Sequence, residues 1–306
     1  MLRYAVRRLL LLIPVLFGVS LMTFTILHSI PGDPIIVLAP VDATDADLQV
    51  LRKEFGLDEP LPVQYAVYVA NALQGNLGKS IRTRDPVAET LVQRLRFTLQ
   101  LTLASVLFGV VMGVVAGVVA ATHQNTWVDH TIMITSLTLL SIPGFWLSLM
   151  LLLLFAGVLH WLPSGGAGTI QHLILPVAVV SHGAAAVIAR FTRSSMLEVI
   201  RQDYIRTVRA NGIQERLVIY KHALRNALNP VLTIVGLQFG FLLGGSAIIE
   251  TIFSLPGIGR LMVNAIYTRD YPVIQGGILF IALSFVLVNL ITDLAYAVIN
   301  PRIRYS

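Results

Sequence analysis

The run GNLGKS, residues 75–80, sets a lysine and a serine behind two glycines, the ending of a phosphate-cradling loop. A full loop of that kind needs a further glycine five residues before Gly78; Leu73 stands there, and no strand pattern leads in. Nucleotide binding is therefore not expected at this run. Four ionisable residues fall in or beside long apolar stretches: Asp293 and His182 inside them, Glu250 and Arg190 at their ends. A charge in lipid is costly, so Asp293 should face protein or water. It could relay protons, but a structural carboxylate satisfied by neighbouring helices is favoured, because no second acid or lysine shares the middle of its stretch. The 7 histidines are scattered without metal-ligand spacing, and no serine, histidine and aspartate are arranged as in a membrane protease. With 0 cysteines, disulfides, thiolate metal sites and cysteine nucleophiles are excluded. No catalytic residue and no metal site is expected.

The surrounding sequence is lipid-compatible. Of 306 residues 56% are apolar and 12% charged, with a mean hydropathy of +0.77; soluble domains carry roughly 25% charged residues. The net charge of +6 is read as topological, since membrane proteins gather Lys and Arg on the cytoplasmic side, and no nucleic-acid partner is expected. Six stretches reach the roughly 20 residues that a membrane-spanning helix needs: 9–29, 97–121, 131–158, 171–191, 231–250 and 273–297. The first follows Arg3, Arg7 and Arg8, but its apolar run is too long for a signal peptide and no small-residue cleavage site follows. The fold class is thus an all-α membrane protein with six transmembrane helices.

Lysines and arginines set the orientation. An N-terminus inside places three of them at the start, seven between Arg193 and Arg225, and Arg302 and Arg304 on the inner side. The outer side takes seven between 31 and 96, balanced by nine acids, with Arg260 and Arg269. Both termini are expected in the cytoplasm, although the inner loop 121–130 carries no Lys or Arg. Residues 1–30 then form a tail and first span, 31–96 an external segment read as a small ordered cap, and 97–306 a five-helix core enclosing the inner loop 192–229.

Gly109, Gly113 and Gly117, four apart in the second span, share one helix face and let another backbone approach closely. Packing within the chain is favoured over a subunit interface. Pro143, Pro176 and Gly183 mark kinks that would line a cavity. In the inner loop, Met196, Ile200, Tyr204 and Val208 form one helical stripe, Asn211-Gly212 breaks it, and Gly212 suits a left-handed cap. A second stripe, Ile213, Leu217, Tyr220, Leu224, Ala227 and Val231, runs into the fifth span. The basic face of Arg209, Arg216, Lys221 and Arg225 is explained by anionic lipid heads alone. A helix, sharp turn and helix continuous with a span is better explained as a lever that another protein pushes.

DYIRTVRANG followed by HALRNALNPV resembles the cytoplasmic signature loop, often called the EAA loop, of ABC importer membrane subunits, closest to the peptide/nickel/glutathione branch. LHSIPGDP at 27–34, QFGFLLGGSAIIETIFSLPGIGRL at 238–261, TRDYPVIQ at 268–275 and NLITDLAYAVINPRIRYS at 289–306 extend the resemblance over almost the whole chain. It implies a type I-like importer permease fold in the bacterial inner membrane, without ATPase chemistry of its own. The implied partners are a second, similar permease, two ATPase subunits that use ATP and Mg, an external binding protein and membrane lipids; this chain itself would bind no cofactor. By position Arg206, Thr207 and Val208 stand where the family has Glu-Ala-Ala, Gly212 is the signature glycine, and Arg206, Thr207, Val208, Arg209, Ala210, Asn211 and Gly212 would dock an ATPase. Val208 is bulkier than the usual alanine, and Asn211 replaces a frequent lysine. The implied cargo is di- or oligopeptides or glutathione, with nickel as the alternative. A stand-alone secondary transporter coupling ions through Asp293 and His182 is the rival class, disfavoured by the absence of a clear inverted repeat.

Overall fold

The computed structural model describes residues 2–30, 35, 44–54 and 56–299; the side chains of 2–9, 45, 47, 51, 54, 243–245 and 291–299 lie outside the described residues. Among the described residues thirteen α-helices follow one another: α1 (Leu2–Ser29), α2 (Asp45–Glu54), α3 (Leu61–Leu73), α4 (Val87–Thr122), α5 (Trp127–Ser141), α6 (Gly144–Leu152), α7 (Gln171–Ile200), α8 (Asp203–Ala210), α9 (Glu215–Leu217), α10 (Leu224–Gly245), α11 (Ala247–Ile252), α12 (Ile258–Tyr267) and α13 (Tyr271–Ile299). Two π-helical stretches, Leu153–Val158 and Val218–Ala223, continue α6 and α9. Among the described residues the extended pairing is a single antiparallel bridge of Lys79 with Pro86.

The all-α membrane architecture holds, with changes in its spans. Among the described residues four segments are long and apolar enough to cross a membrane: Leu10–Ser29, Val87–Thr122, Gln171–Ile200 and Tyr271–Leu290. The expected span at 131–158 is corrected to a broken one, since its two halves meet at 95° and make a fifth crossing only if counted together. Pro143 has no N–H to donate and drives the preceding residue out of helical geometry, so Ile142 sits at φ −78°, ψ 121°. The expected span at 231–250 is not among those segments. Its helix, α10, opens on Arg225, Asn226 and Asn229 and stops at Gly245 before α11 restarts at Ala247.

The chain divides into two compact units. One holds residues 1–98 and 256–286. Its core gathers Leu27, Val87, Leu91, Ile258, Met262, Ala265, Tyr271, Val273 and Ile274. A Cβ on Gly277 would run into Met262 Sδ, so α12 lies close against α13 at this glycine. The GNLGKS run is a tight turn here, closed by Val87 N–H donating to Gly78 O (3.0 Å) and Ser80 N–H to Asp85 O (2.9 Å). The buried Asp270 carboxylate accepts from Ser80 Oγ (2.5 Å) and Ile81 N–H (3.1 Å). An acid therefore fills the place that a phosphate would need.

The other unit holds 99–255 and 287–306. Its central helix is α7, and the glycine face of α4 lies directly on it. A Cβ on Gly113 would meet Ala185 O at 2.7 Å, one on Gly117 would meet Thr192 Cβ at 2.5 Å, and Gly109 faces Ala184 Cβ at 3.3 Å. Gly183, by contrast, has open space around it. Two cores flank α7. The first joins Leu101, Val106, Leu175, Val179, Val180, Leu242, Ile249, Phe253 and Leu255. The second joins Val118, Ala121, Met196, Val199, Ile205, Val218, Ile219, Ala223 and Ala227. Fully burying each large apolar side chain contributes about 1.5–3 kcal/mol, so the second core fixes whatever lies above it.

Candidate coupling site

The second core carries the inner loop. The expected helix from Met196 to Val208 is in fact two: α7 ends at Ile200, Arg201 and Gln202 turn, and α8 starts at Asp203 with Gln202 extended at ψ 150°. Neither glycine nor proline marks that break. Asp203 in the first turn and Arg209 in the last both suit the helix dipole. Ile205, 0% exposed, is the peg of α8 in the core, and Val208 packs on the same core from a half-buried position. Arg206, Thr207, Arg209, Ala210, Asn211 and Gly212 face outward. The loop thus splits the expected docking residues into an exposed set and one buttress, Val208.

Gly212 takes φ +72°, the left-handed conformation, and donates to Arg209 O at 3.0 Å, while Asn211 N–H closes on Thr207 O at 3.1 Å. A side chain at Gly212 would meet no neighbour; the glycine is required by the backbone alone. Across this turn Arg209 forks onto Glu215, with Nη2 at 2.6 Å from Oε1 and Nε at 3.0 Å from Oε2. The guanidinium's hydrogen bonds hold the Glu215 carboxyl below the ordinary carboxylate range, and the carboxylate raises Arg209 in turn. The Arg206–Asp203 contact, 3.5 Å between side chains 75% and 95% exposed, contributes little.

The second stripe slips in phase. The π-helical stretch admits one extra residue per turn, so Val218, Ile219 and Ala223 are buried while the expected Leu217 and Tyr220 stand 48% and 56% exposed. Tyr204 Oη donates to His222 O (3.3 Å) and accepts from Asn226 Nδ2 (2.6 Å), binding α8 to the start of α10. Beside it opens a polar groove of about 950 Å³ that includes Glu198, Gln202, Lys221, His222 and Arg225. These groups can hold a polar partner; no nucleophile and base are paired among them.

One contact was invisible in the sequence. Asp129, 0% exposed on α5, receives both Nε and Nη2 of Arg193 on α7 at 2.6 Å, and accepts Asn125 N–H at 3.0 Å. It ties the 121–130 turn, which carries no Lys or Arg, to α7, three turns before α8. Two of the polar residues in the apolar stretches have hydrogen-bonding partners within the chain. His182 places Nδ1 against Val179 O and Nε2 3.4 Å from Ile142 O, at the bend. Glu250, buried, accepts Ser246 Oγ at 2.9 Å. The Asp293 side chain lies outside the described residues. Among the described residues no three metal-ligating side chains converge.

With this geometry in hand, comparison with known proteins is specific. The family model "Binding-protein-dependent transport system inner membrane component" matches residues 113–305, and that family's N-terminal model matches residues 1–102. Among curated relatives, the "Glutathione transport system permease protein GsiC" of Escherichia coli (strain K12) is 47% identical over 306 residues, covering 100% of both chains. The protein of the same name from Shigella dysenteriae serotype 1 (strain Sd197) matches equally. Among solved structures, an inward-facing MetNI methionine ABC transporter chain superposes with TM-score 0.59 at 22% identity, covering 69% of this chain and 96% of that one. A chain of an amino acid ABC transporter gives TM-score 0.51 at 18% identity, covering 70% and 94%. These two share the fold. The chain belongs to the family of inner membrane components of binding-protein-dependent transport systems, as a membrane-spanning permease subunit of an ATP-driven importer.

Proposed function

We propose that this permease imports small peptides, glutathione among them, and is driven through the Arg206–Gly212 loop by an ATPase docked on it. The full-length similarity to permeases named for glutathione transport supports the cargo. The left-handed turn at Gly212, standing proud on a core shared by α4, α7, α8 and α10, is the observation that carries the mechanism. A second permease would complete the pathway, two ATPase subunits would hydrolyse ATP with Mg, and an external binding protein would deliver substrate. Both termini and the loop would lie in the cytoplasm. ATPase closure would press on α8, and the peg Ile205 would pass the push to α7 and α10. Cargo biases the cycle only through its differential affinity for the two states.

The chain has no cysteine, so single cysteines placed at Arg206 and Ala210 are its only thiols for cross-linking in the assembled importer. The expected result is a bond to an ATPase subunit that changes yield with nucleotide. Cross-linking confined to lipid or to the other permease, in a complex that still contains its ATPases, would overturn the docking assignment. For cargo, uptake of labelled glutathione and dipeptides by cells carrying the importer as their sole route decides; uptake of neither would remove the peptide reading.

A further inference from the structure

α3 contradicts the pattern of a helix in water. Its sequence LPVQYAVYVANAL contains no charged residue, and none of its 13 residues is buried. What it exposes is apolar: Leu61 at 50%, Val63 at 44%, Val67 at 54% and Leu73 at 84%. Its polar groups turn inward onto α1 instead. Tyr65 Oη lies 2.9 Å from Ser20 Oγ, and its ring packs edgewise on Phe17 and Phe24 at 6.2 and 5.3 Å. Gln64 Oε1 reaches His28 Nε2 at 3.3 Å. Tyr68 Oη is enclosed without a hydrogen-bond partner.

Those partners fix the depth of α3. The apolar run of α1, Leu10–Ser29, is 20 residues long, about 30 Å of helix and just enough to cross the hydrocarbon core. Ser20 therefore stands near the middle of the bilayer, and Tyr65 stands beside it. Val69, Ala72 and Leu73 share an apolar groove of about 530 Å³ with Ile13, Leu16 and Phe17, farther from Ser29 along α1. A helix of 13 residues is too short to span; apolar segments of about 10–14 residues are buried core helices or re-entrant or interfacial ones, and α3, with no buried residue, is not a core helix. Backbone in lipid must be satisfied internally, and the turn after α3 meets that demand. Asn71 O accepts from Gln74 N–H and Asn76 N–H, Ala72 O from Gly75 N–H, and Asn76 Oδ1 from Gly78 N–H, all at 3.0 Å.

We infer that α3 is a re-entrant membrane helix, entering the bilayer beside α1 with its Leu61, Val63, Val67 and Leu73 face and the adjoining groove covered by lipid acyl chains. Acyl chains are the fitting occupant because the face continues the exposed apolar surface of α1, where Ile13, Met22 and Ile26 are 64%, 69% and 58% exposed. The segment 31–96 is then not wholly an aqueous cap. This rests on α1 crossing the membrane and not on the cargo or the coupling loop.

The cysteine-free chain permits a direct test in the full importer. Val67→Cys and Leu73→Cys are compared with Asp58→Cys as the aqueous reference and Met22→Cys as the lipid reference. Each is labelled with an environment-sensitive fluorophore in detergent, reconstituted, and exposed to phospholipids bearing a nitroxide on the acyl chain. In parallel, unlabelled variants in membranes open to both sides meet a membrane-impermeant maleimide. The expected result is acyl-chain quenching at 67 and 73 like that at 22, with maleimide reaction several-fold slower than at 58. Maleimide reaction as fast as at 58 overturns the inference in favour of an aqueous cap. Protection from both maleimide and lipid nitroxide overturns it in favour of a protein partner on that face.

Discussion

Arg193 closes both arms of its guanidinium on Asp129, Nε and Nη2 each at 2.6 Å, across 64 residues of sequence and at a carboxylate that solvent does not reach. The pair joins the α4–α5 turn to the helix that leads into the coupling loop. Its value lies in what would be left if it were broken.

Removing Arg193 strands a buried charge. Arg193→Met should therefore destabilise the subunit by about 3–5 kcal/mol, Asp129→Leu, which leaves a guanidinium that is 25% exposed, should cost less, and the double replacement, which leaves no orphan, should cost much less than Arg193→Met. Thermal unfolding of the purified importer, with all three variants side by side, checks the order. A double variant less stable than both singles would refute the buried-pair account.

The glycine face of α4 makes a second, steric prediction. A Cβ at Gly113 would sit 2.7 Å from Ala185 O, and at Gly117 2.6 Å from Ala189 O, with backbone rather than flexible side chain in the way. Gly113→Ala and Gly117→Ala should each lower stability by about 1–3 kcal/mol through overpacking. Gly183→Ala, with nothing within 4 Å, should be neutral or gain up to about 1 kcal/mol from helix propensity. Apparent melting temperatures of the three variants decide it.

What could be read beforehand follows from the range of each interaction. Gly212 was legible because a left-handed backbone leaves a local trace in residue type, and φ +72° is what it adopts. The spacing of Gly109, Gly113 and Gly117 announced a close contact, but the helix that meets it starts about fifty residues later and no local signal names it. Pro143 marked a kink, while the 95° angle depends on Ile142 being free to extend. The phase slip at Leu217 and Tyr220 was hidden because a π-helical stretch leaves the four-residue stripe looking intact. Asp129 went unmarked in a loop legible only for its lack of Lys and Arg, since nothing near it in sequence reveals Arg193.

The elbow across Gly212 has a pH signature. Glu215 is held below its ordinary range by hydrogen bonds from Arg209, so its contribution to the folded loop is present above the unfolded carboxylate pKa and is lost as pH falls through the depressed folded value. Coupling should therefore be insensitive to pH near neutrality, where the pair is fully formed, and weaken only in acid. Glu215→Gln should bring part of that acid defect to pH 7, seen as more ATP hydrolysed per substrate imported. Exchanging the two residues, Arg209→Glu with Glu215→Arg, should restore the ratio if the pair acts within the loop. If the exchange leaves the defect in place, Arg209 acts on the ATPase rather than on Glu215.

The last prediction concerns the turn that mimics a phosphate loop. Asp270 accepts from both Ser80 Oγ and Ile81 N–H, using a charged acceptor that an amide cannot fully replace. A hydrogen bond to a charged group contributes about 1.5–3 kcal/mol, and an unsatisfied buried donor costs a similar amount. Asp270→Asn should therefore loosen the 78–87 turn, and Asp270→Ala more so, letting the already exposed Arg82–Arg84 tip unfold into the trypsin cleft. Limited proteolysis of the intact importer should show faster cleavage there in the order alanine, asparagine, native. Ser80→Ala, which keeps the Ile81 bond but loses both the Asp270 contact and the acceptor of Thr83 N–H (3.0 Å), should also be cleaved faster than native. Equal cleavage in all four proteins would mean that the turn is held by its backbone pairings, Val87 to Gly78 and Ser80 to Asp85, and not by the carboxylate.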